Sequence, residues 1–309
     1  MKKLFILALG LILIFSSACS SVSNDINNSE ITIIDAFGKE IYLSKPAGRI
    51  ISTYSAITEN IYALGAGELL IGGGSTEAYP EDATKLPSFS YSKDDVEKFI
   101  AAKPDVVFFR KTIAIKYTDL IDNLKKVGII VIALDNEDFE SYINTIAKVV
   151  GREETAKKML GEFKKQLEDL GARAAKIPEE ERVSVFFESA QKDYKTASQK
   201  SIVYAGLKLI GVNNVADENM EKGAASTIAH FGEEYLLAEA NNIDIYIAQH
   251  GAMNRTVNVE DIKKRPGFNV IKAIKENQIY IIEEKLISSP TFRQVDGLRQ
   301  LFEYIYPEY

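Results

Sequence analysis

An amphipathic stretch from Arg152 to Lys176, set between two runs of alternating strand and helix patterns, constrains this chain more than any other feature. Within it Ala156, Met159, Leu160, Phe163, Leu167, Leu170 and Ala174 recur at steps of three and four, the period of one helix face. At 1.5 Å per residue such a helix is about 37 Å long, enough to run along two small lobes. On the N-terminal side the pattern starts with a hairpin, Ile31 to Ile34 and Ile41 to Leu43. It continues through strands at Arg49 to Thr53, Leu69 to Gly72, Val106 to Phe109 and Ile129 to Leu134. Helices fall between them at Ala56 to Leu64, around Val96, Phe99 and Ile100 behind a Ser92/Asp95 capping box, and at Tyr117 to Val127. On the C-terminal side strands at Val183 to Phe187, Ile243 to Ala248 and Ile279 to Ile282 alternate with helices at Ser201 to Ile210, Glu233 to Ala240, Val270 to Lys275 and Gln294 to Tyr304. Such alternation predicts α/β architecture with mostly parallel sheets.

The two runs share a unit. Glu97-Lys-Phe-Ile-Ala-Ala-Lys-Pro-Asp-Val-Val-Phe-Phe and Glu234-Tyr-Leu-Leu-Ala-Glu-Ala-Asn-Asn-Ile-Asp-Ile-Tyr-Ile each place a carboxylate, an apolar helix, an Asp and a strand in that order. The expected organisation is a leader at 1–18, a tether at 19–30, an N-terminal lobe at 31–138, a connecting segment with the long helix at 139–176, and a C-terminal lobe at 177–309. One continuous helix between lobes resists large hinge motion, so small lobe movements are expected.

The N-terminus sets the expected compartment. Lys2 and Lys3 precede an apolar run, Leu4 to Phe15, which is short of the roughly 20 residues a permanent membrane span requires. Small residues Ser16, Ser17 and Ala18 follow, as at the cleavage site of a secretory leader, and then the single cysteine, Cys19. The arrangement resembles a bacterial lipoprotein signal, with Ser16 standing where Leu is usual. That resemblance implies a diacylated Cys19 and a protein held on the outer side of the cell membrane; an ordinary secretory leader is the alternative. The polar stretch Ser20 to Glu30 suits a tether. A net charge of −7 argues against nucleic acid as a partner.

In parallel α/β sheets ligands bind where strands end and helices begin. At those ends stand Tyr54 and Ser55, Tyr91, Arg110 and Lys111 in the first run. The second run offers Glu188, Tyr194, Gln249, His250, Met253, Asn254, Arg255 and Arg293. Tyrosine faces and arginine forks at strand ends suit a bulky, aromatic, anionic guest. A solvated loop side chain is the plainer reading of each residue alone. The only histidines, His230 and His250, have no neighbours at metal-ligand spacing, and the Gly65-Ala-Gly67 and Gly72-Gly-Gly74 runs do not open helices as a dinucleotide loop does. No metal site, catalytic residue or intrinsic cofactor is expected, which sets a secreted enzyme or an adhesin behind a binding protein.

Arg49-Ile-Ile-Ser-Thr-Tyr through Glu68-Leu-Leu-Ile-Gly resembles the opening strand–helix–strand of the iron-complex and cobalamin substrate-binding proteins of ABC importers. Val96-Glu97-Lys-Phe-Ile-Ala-Ala-Lys-Pro-Asp, Arg265-Pro-Gly-Phe followed by Gln278-Ile-Tyr-Ile-Ile, and Ser289-Pro-Thr-Phe-Arg293 are similar to later segments of that family. The likeness runs from about residue 31 to the end. It implies two α/β lobes joined by one long helix, a monomer, and a guest between the lobes: a ferric siderophore first, then a corrinoid, haem or a small oxyanion such as molybdate. It also implies a permease dimer with ATPase subunits as partner, met by one glutamate from each lobe. Glu97 fits that role in the first lobe, and Glu234, or its neighbour Glu233, in the second.

Overall fold

The computed structural model describes residues 31–135, 138–217 and 226–309. The leader, tether and Cys19 lie outside them. An antiparallel hairpin, β1 (Ile31–Ile34) and β2 (Glu40–Leu43), opens the chain. Then follow β3 (Ile50–Ser52), α1 (Ser55–Ala63), β4 (Leu70–Gly72), α2 (Val96–Ala101), β5 (Val106–Arg110), α3 (Lys111–Lys116), α4 (Thr118–Lys126), β6 (Ile130–Leu134), α5 (Phe139–Val150) and α6 (Glu153–Ala174). The four inner strands form one parallel sheet in the order β4-β3-β5-β6.

The second half contains β7 (Ser184–Glu188), β8 (Thr196–Ala197), α7 (Ile202–Leu209), β9 (Asn213–Asn214), β10 (Ile228–Ala229), α8 (Glu233–Ala238), β11 (Ile245–His250), α9 (Val259–Lys263), α10 (Lys272–Lys275), β12 (Ile279–Glu283), α11 (Glu284–Ile287) and α12 (Gln294–Ile305). Its parallel sheet is ordered β9-β7-β11-β12. Both sheets therefore place the first strand between the second and the third, with the fourth outermost. The matched stretches at Glu97 and Glu234 fall on equivalent elements, α2 with β5 and α8 with β11.

Each sheet is covered on both faces, which is why its strands read as continuous apolar runs. Val106, Val107, Phe108 and Phe109 of β5 are all fully buried, alternating between one core built on α1 and α5 and another built on α4. Full burial of each such side chain is worth about 1.5–3 kcal/mol. In the second half Val185 and Phe187 face the core under α7 and α12, and Phe186 faces the core with Leu236 of α8 and Phe268.

The long helix is α6, somewhat shorter than its apolar pattern predicts. Its N-terminal residues Ala156 and Met159 pack on the first core, whereas Leu167, Leu170 and Ala174 pack on the second. A strap gives the halves a second joint. Asn60 of α1 donates to the Pro290 carbonyl at 2.8 Å, and Phe292 lies 5.4 Å from the Phe139 ring and 5.9 Å from the Phe163 ring of α6.

Several local expectations are corrected. The Ser92/Asp95 capping box does not form: α2 begins at Val96, its N-cap Asp95 makes no side-chain bond, and Ser92 faces Ser90 at 3.3 Å. Asp94 ties this turn instead, accepting from the Ser90 N–H at 2.7 Å and from Lys98 Nζ at 2.8 Å. Helix α3 begins at once after β5, where a loop is expected. Helix α5 buries Ile143, Ile146 and Val150 in the first core, so that core reaches past residue 138.

Candidate functional site

A cavity of about 570 Å³ opens between the carboxyl ends of the two sheets. It lies at the switch points, where the chain leaves β3 for one side of the sheet and returns as β5 on the other, and likewise for β7 and β11. Thr53, Tyr54 and Ser55 reach it from the end of β3, Arg110 from β5, Ser189 from β7, and Gly251 to Met253 with Arg255 from β11.

Of the expected residues, Tyr54, Ser55, Tyr91, Arg110 and Arg255 share this wall, as do Gln249 and Met253. The Arg110 guanidinium stacks over the Tyr54 ring at 4.6 Å and makes no ion pair among the described residues. Burial pushes the Tyr54 hydroxyl up from its ordinary range, more than the Arg110 charge brings it down, so the phenol stays protonated. Ser55 opens α1, where unpaired backbone N–H groups face outward and no acidic side chain stands in the first turn. Tyr91 packs against the Tyr117 ring at 5.1 Å.

Six expected residues stand apart from the wall. Lys111 starts α3 and its ammonium lies 2.9 Å from Asp135 at the end of β6. Glu188 is fully buried below the cleft and bound to Arg265, Tyr246 and Asn254, because a desolvated carboxylate must be paired. Asn254 is buried with it and also accepts the Gln191 N–H at 2.6 Å. Tyr194 packs on Phe268, ring to ring at 5.4 Å. His250 is occupied on both nitrogens, 3.2 Å from Glu283 and 3.1 Å from the Arg255 carbonyl. Arg293 turns toward α1, forking Glu59 at 2.7 and 2.6 Å beneath the Tyr79 ring at 3.8 Å.

The wall also holds residues the sequence reading passed over: Phe89, Ser189, Glu283, Glu284, Lys285 and Ser289. The strand-end rule applied to β12 points to Glu283 through Lys285. Glu284 accepts the Ala252 N–H at 2.5 Å, and a side chain at Gly251 would strike its Cβ at 2.4 Å, so the loop comes this close only with glycine there. Lys285 donates across the mouth to the Thr76 carbonyl. Among the described residues no group of three His, Cys, Asp or Glu side chains is placed to hold a metal ion, and no helix is long and apolar enough to cross a membrane. Glu97 and Glu234 are exposed in the first turns of α2 and α8.

This chain is similar to several proteins named as binding proteins. An ABC transporter substrate-binding lipoprotein of Bacillus subtilis, YvrC, is 28% identical over 283 residues, spanning 90% of this chain and 86% of its own. A vitamin B12-binding protein of Vibrio cholerae is 22% identical over 84% of this chain and 90% of its own. The crystal structure of a possible iron-binding (periplasmic solute-binding) protein from Staphylococcus epidermidis has a TM-score of 0.70 at 26% identity, covering 85% of this chain and 100% of that one. The periplasmic binding protein family model matches residues 50–286, from β3 to α11 and so across both sheets and the cleft. By that match and by its fold, this chain belongs to the periplasmic binding protein family.

Proposed function

We propose that the chain is the substrate-binding component of an ABC importer and that its cleft carries an organic metal chelate, a ferric siderophore first. The observation that carries the reading is Arg110, stacked on Tyr54 in the cavity with no ion pair among the described residues. A guanidinium held so can clasp carboxylate, catecholate or hydroxamate oxygens with two hydrogen bonds. The N-terminus of α1 beside it adds a favourable field for the same charge. Across the cleft the carboxylates are already engaged, Glu283 by His250 and Glu284 by the Ala252 N–H. A bare ion finds no ligand set among the described residues, whereas a chelate brings its own. The cavity also exceeds what a small oxyanion fills, a water taking about 30 Å³ of liquid. A corrinoid or haem is the second reading, supported by the B12-binding relative and by Tyr54 and Tyr91, either of which can lay its ring against a macrocycle.

Cys19 carries the membrane anchor in this reading, two or three acyl chains holding the chain on the extracytoplasmic surface. Exposed Glu97 and Glu234 set the docking register on the permease, acting on association rate more than on affinity. The protein works as a monomer beside its permease dimer and ATPase subunits. A thermal-shift screen against ferric chelates, cyanocobalamin, haemin and oxyanions identifies the guest, since a ligand of the folded form alone raises the melting temperature. Arg110→Ala is expected to weaken capture of an anionic guest more than tenfold, as a charge-assisted bond is worth about 1.5–3 kcal/mol. Unchanged affinity in calorimetry removes Arg110 from the site.

A further inference from the structure

The segment Arg265-Pro266-Gly267-Phe268 contributes nothing to the cleft wall. It works beneath it. Arg265, 7% exposed, lies against the rings of Phe268 at 5.4 Å and Tyr194 at 5.9 Å, and directs both terminal nitrogens at Glu188. The same carboxylate accepts from the Tyr246 hydroxyl and from Asn254 Nδ2, the latter at 2.9 Å. Asn254 Oδ1 then holds the Gln191 N–H. We propose that these four buried side chains are positioning residues that set the two second-lobe loops, 189–195 and 251–255, to which the cleft owes its affinity.

Three observations support this. The first is connectivity: Ser189 in the wall directly follows Glu188, and Met253 and Arg255 flank Asn254. Ser189, Met253 and Arg255 are therefore each one peptide bond from a network member. The second is backbone shape. Asp193 and Tyr194 both have positive φ, 63° and 43°, a region non-glycine residues avoid unless the surroundings impose it. Inside the loop Ala190 and Lys195 pair through their backbones and the Tyr194 N–H reaches the Gln191 carbonyl at 3.0 Å; from outside, Asn254 accepts the Gln191 N–H and the Gly232 N–H donates to the Asp193 carbonyl at 3.2 Å. The third is energetic. A buried ion pair is a poor source of net stability, and well-packed apolar side chains serve that purpose as well or better. This lobe already has such packing around Phe186, Phe231 and Leu236. What a carboxylate with donors on both oxygens adds is a fixed direction, and that direction is passed to both loops.

The inference rests on the cleft being the binding site, so two measurements are paired. Asn254→Ala keeps the Glu188–Arg265 pair and cuts the tie to Gln191; Glu188→Leu with Arg265→Met removes both charges together, leaving no lone buried ion. Hydrogen exchange read by mass spectrometry needs no ligand. Amides of 190–195 and 251–256 are expected to exchange at least tenfold faster in both variants, with β7, β11 and the melting temperature near the parent's. Full protection in those loops overturns the proposal, and so does an even loss over the whole second lobe, which marks a network that only holds the fold. If the double variant does not fold, Asn254→Ala decides alone. Calorimetry then uses whichever of ferric desferrioxamine B, cyanocobalamin and haemin raises the parent's melting temperature, with Arg110→Ala alongside. A roughly tenfold weakening in Asn254→Ala and in Arg110→Ala supports both readings. Weakening in Arg110→Ala alone overturns the positioning role and leaves the cleft assignment standing; parental affinity in both overturns the cleft assignment.

Discussion

His250 illustrates how one side chain's surroundings set its chemistry. Its ring nitrogens face the Glu283 carboxylate and the Arg255 carbonyl, two acceptors, which suits an imidazolium donating on both sides. The hydrogen bond that the ring donates to Glu283 raises its pKa from the ordinary 6.5, opposed in part by desolvation and helped by the Glu283 charge. A raised folded-state pKa makes the contribution to stability complete below the unfolded value and lost as pH rises through the folded one. An NMR titration of the ring is expected to show a midpoint above 6.5, returning toward it in Glu283→Gln; a parental midpoint in that variant dismisses the pair as the cause. At this scale the sequence was only half legible. Tyr54 and Arg110 are found by counting to the end of a strand, because those positions point into the cleft whatever else is nearby. Glu188 and Asn254 satisfy the same rule, yet Glu188 is held by Arg265 and by Asn254 itself, both far along the chain, and no local pattern reveals that a strand-end carboxylate is claimed from below.

Gly297 shows what holds an element in place. Helix α12 lies so close to α11 that a β-carbon at residue 297 would stand 2.2 Å from the Leu286 carbonyl oxygen, which is backbone and cannot rotate away. Gly297→Ala is expected to cost about 1–3 kcal/mol, as overpacking does, and a urea midpoint unchanged from the parent's defeats the prediction. Most elements were legible, since buried parallel strands give apolar runs and the faces of α1, α4, α6 and α12 give helical periods. The failures have physical reasons. Helix α3 is a short segment fused to the end of β5, leaving no loop composition to announce it. Helix α5 does carry signals, an Asp138 cap on the Glu140 and Ser141 N–H groups and a left-handed Gly151 at its end, but they were subsumed in the connecting segment. Two-residue strands such as β8 and β10 are too short for any period.

On the scale of the whole molecule, the halves are joined twice, by α6 and by the strap that ends in Arg293. The Glu59 carboxylate is 6% exposed and the arginine fork on it is partly shielded by Tyr79, so removing one partner strands the other in poor solvation. Glu59→Gln is expected to cost about 3 kcal/mol, lowering the melting temperature by several degrees and widening the cleft in solution scattering. A parental melting point and scattering curve together would rule this out. Two separate attachments do more than strengthen a connection. Bodies pinned at two points keep one easy motion, rotation about the line through the pins, while sliding and shear are suppressed. A further contact spans the mouth, where Lys285 of one half donates to the Thr76 carbonyl of the other. A turn that widens the mouth must part this hydrogen bond while leaving α6 and the strap in place.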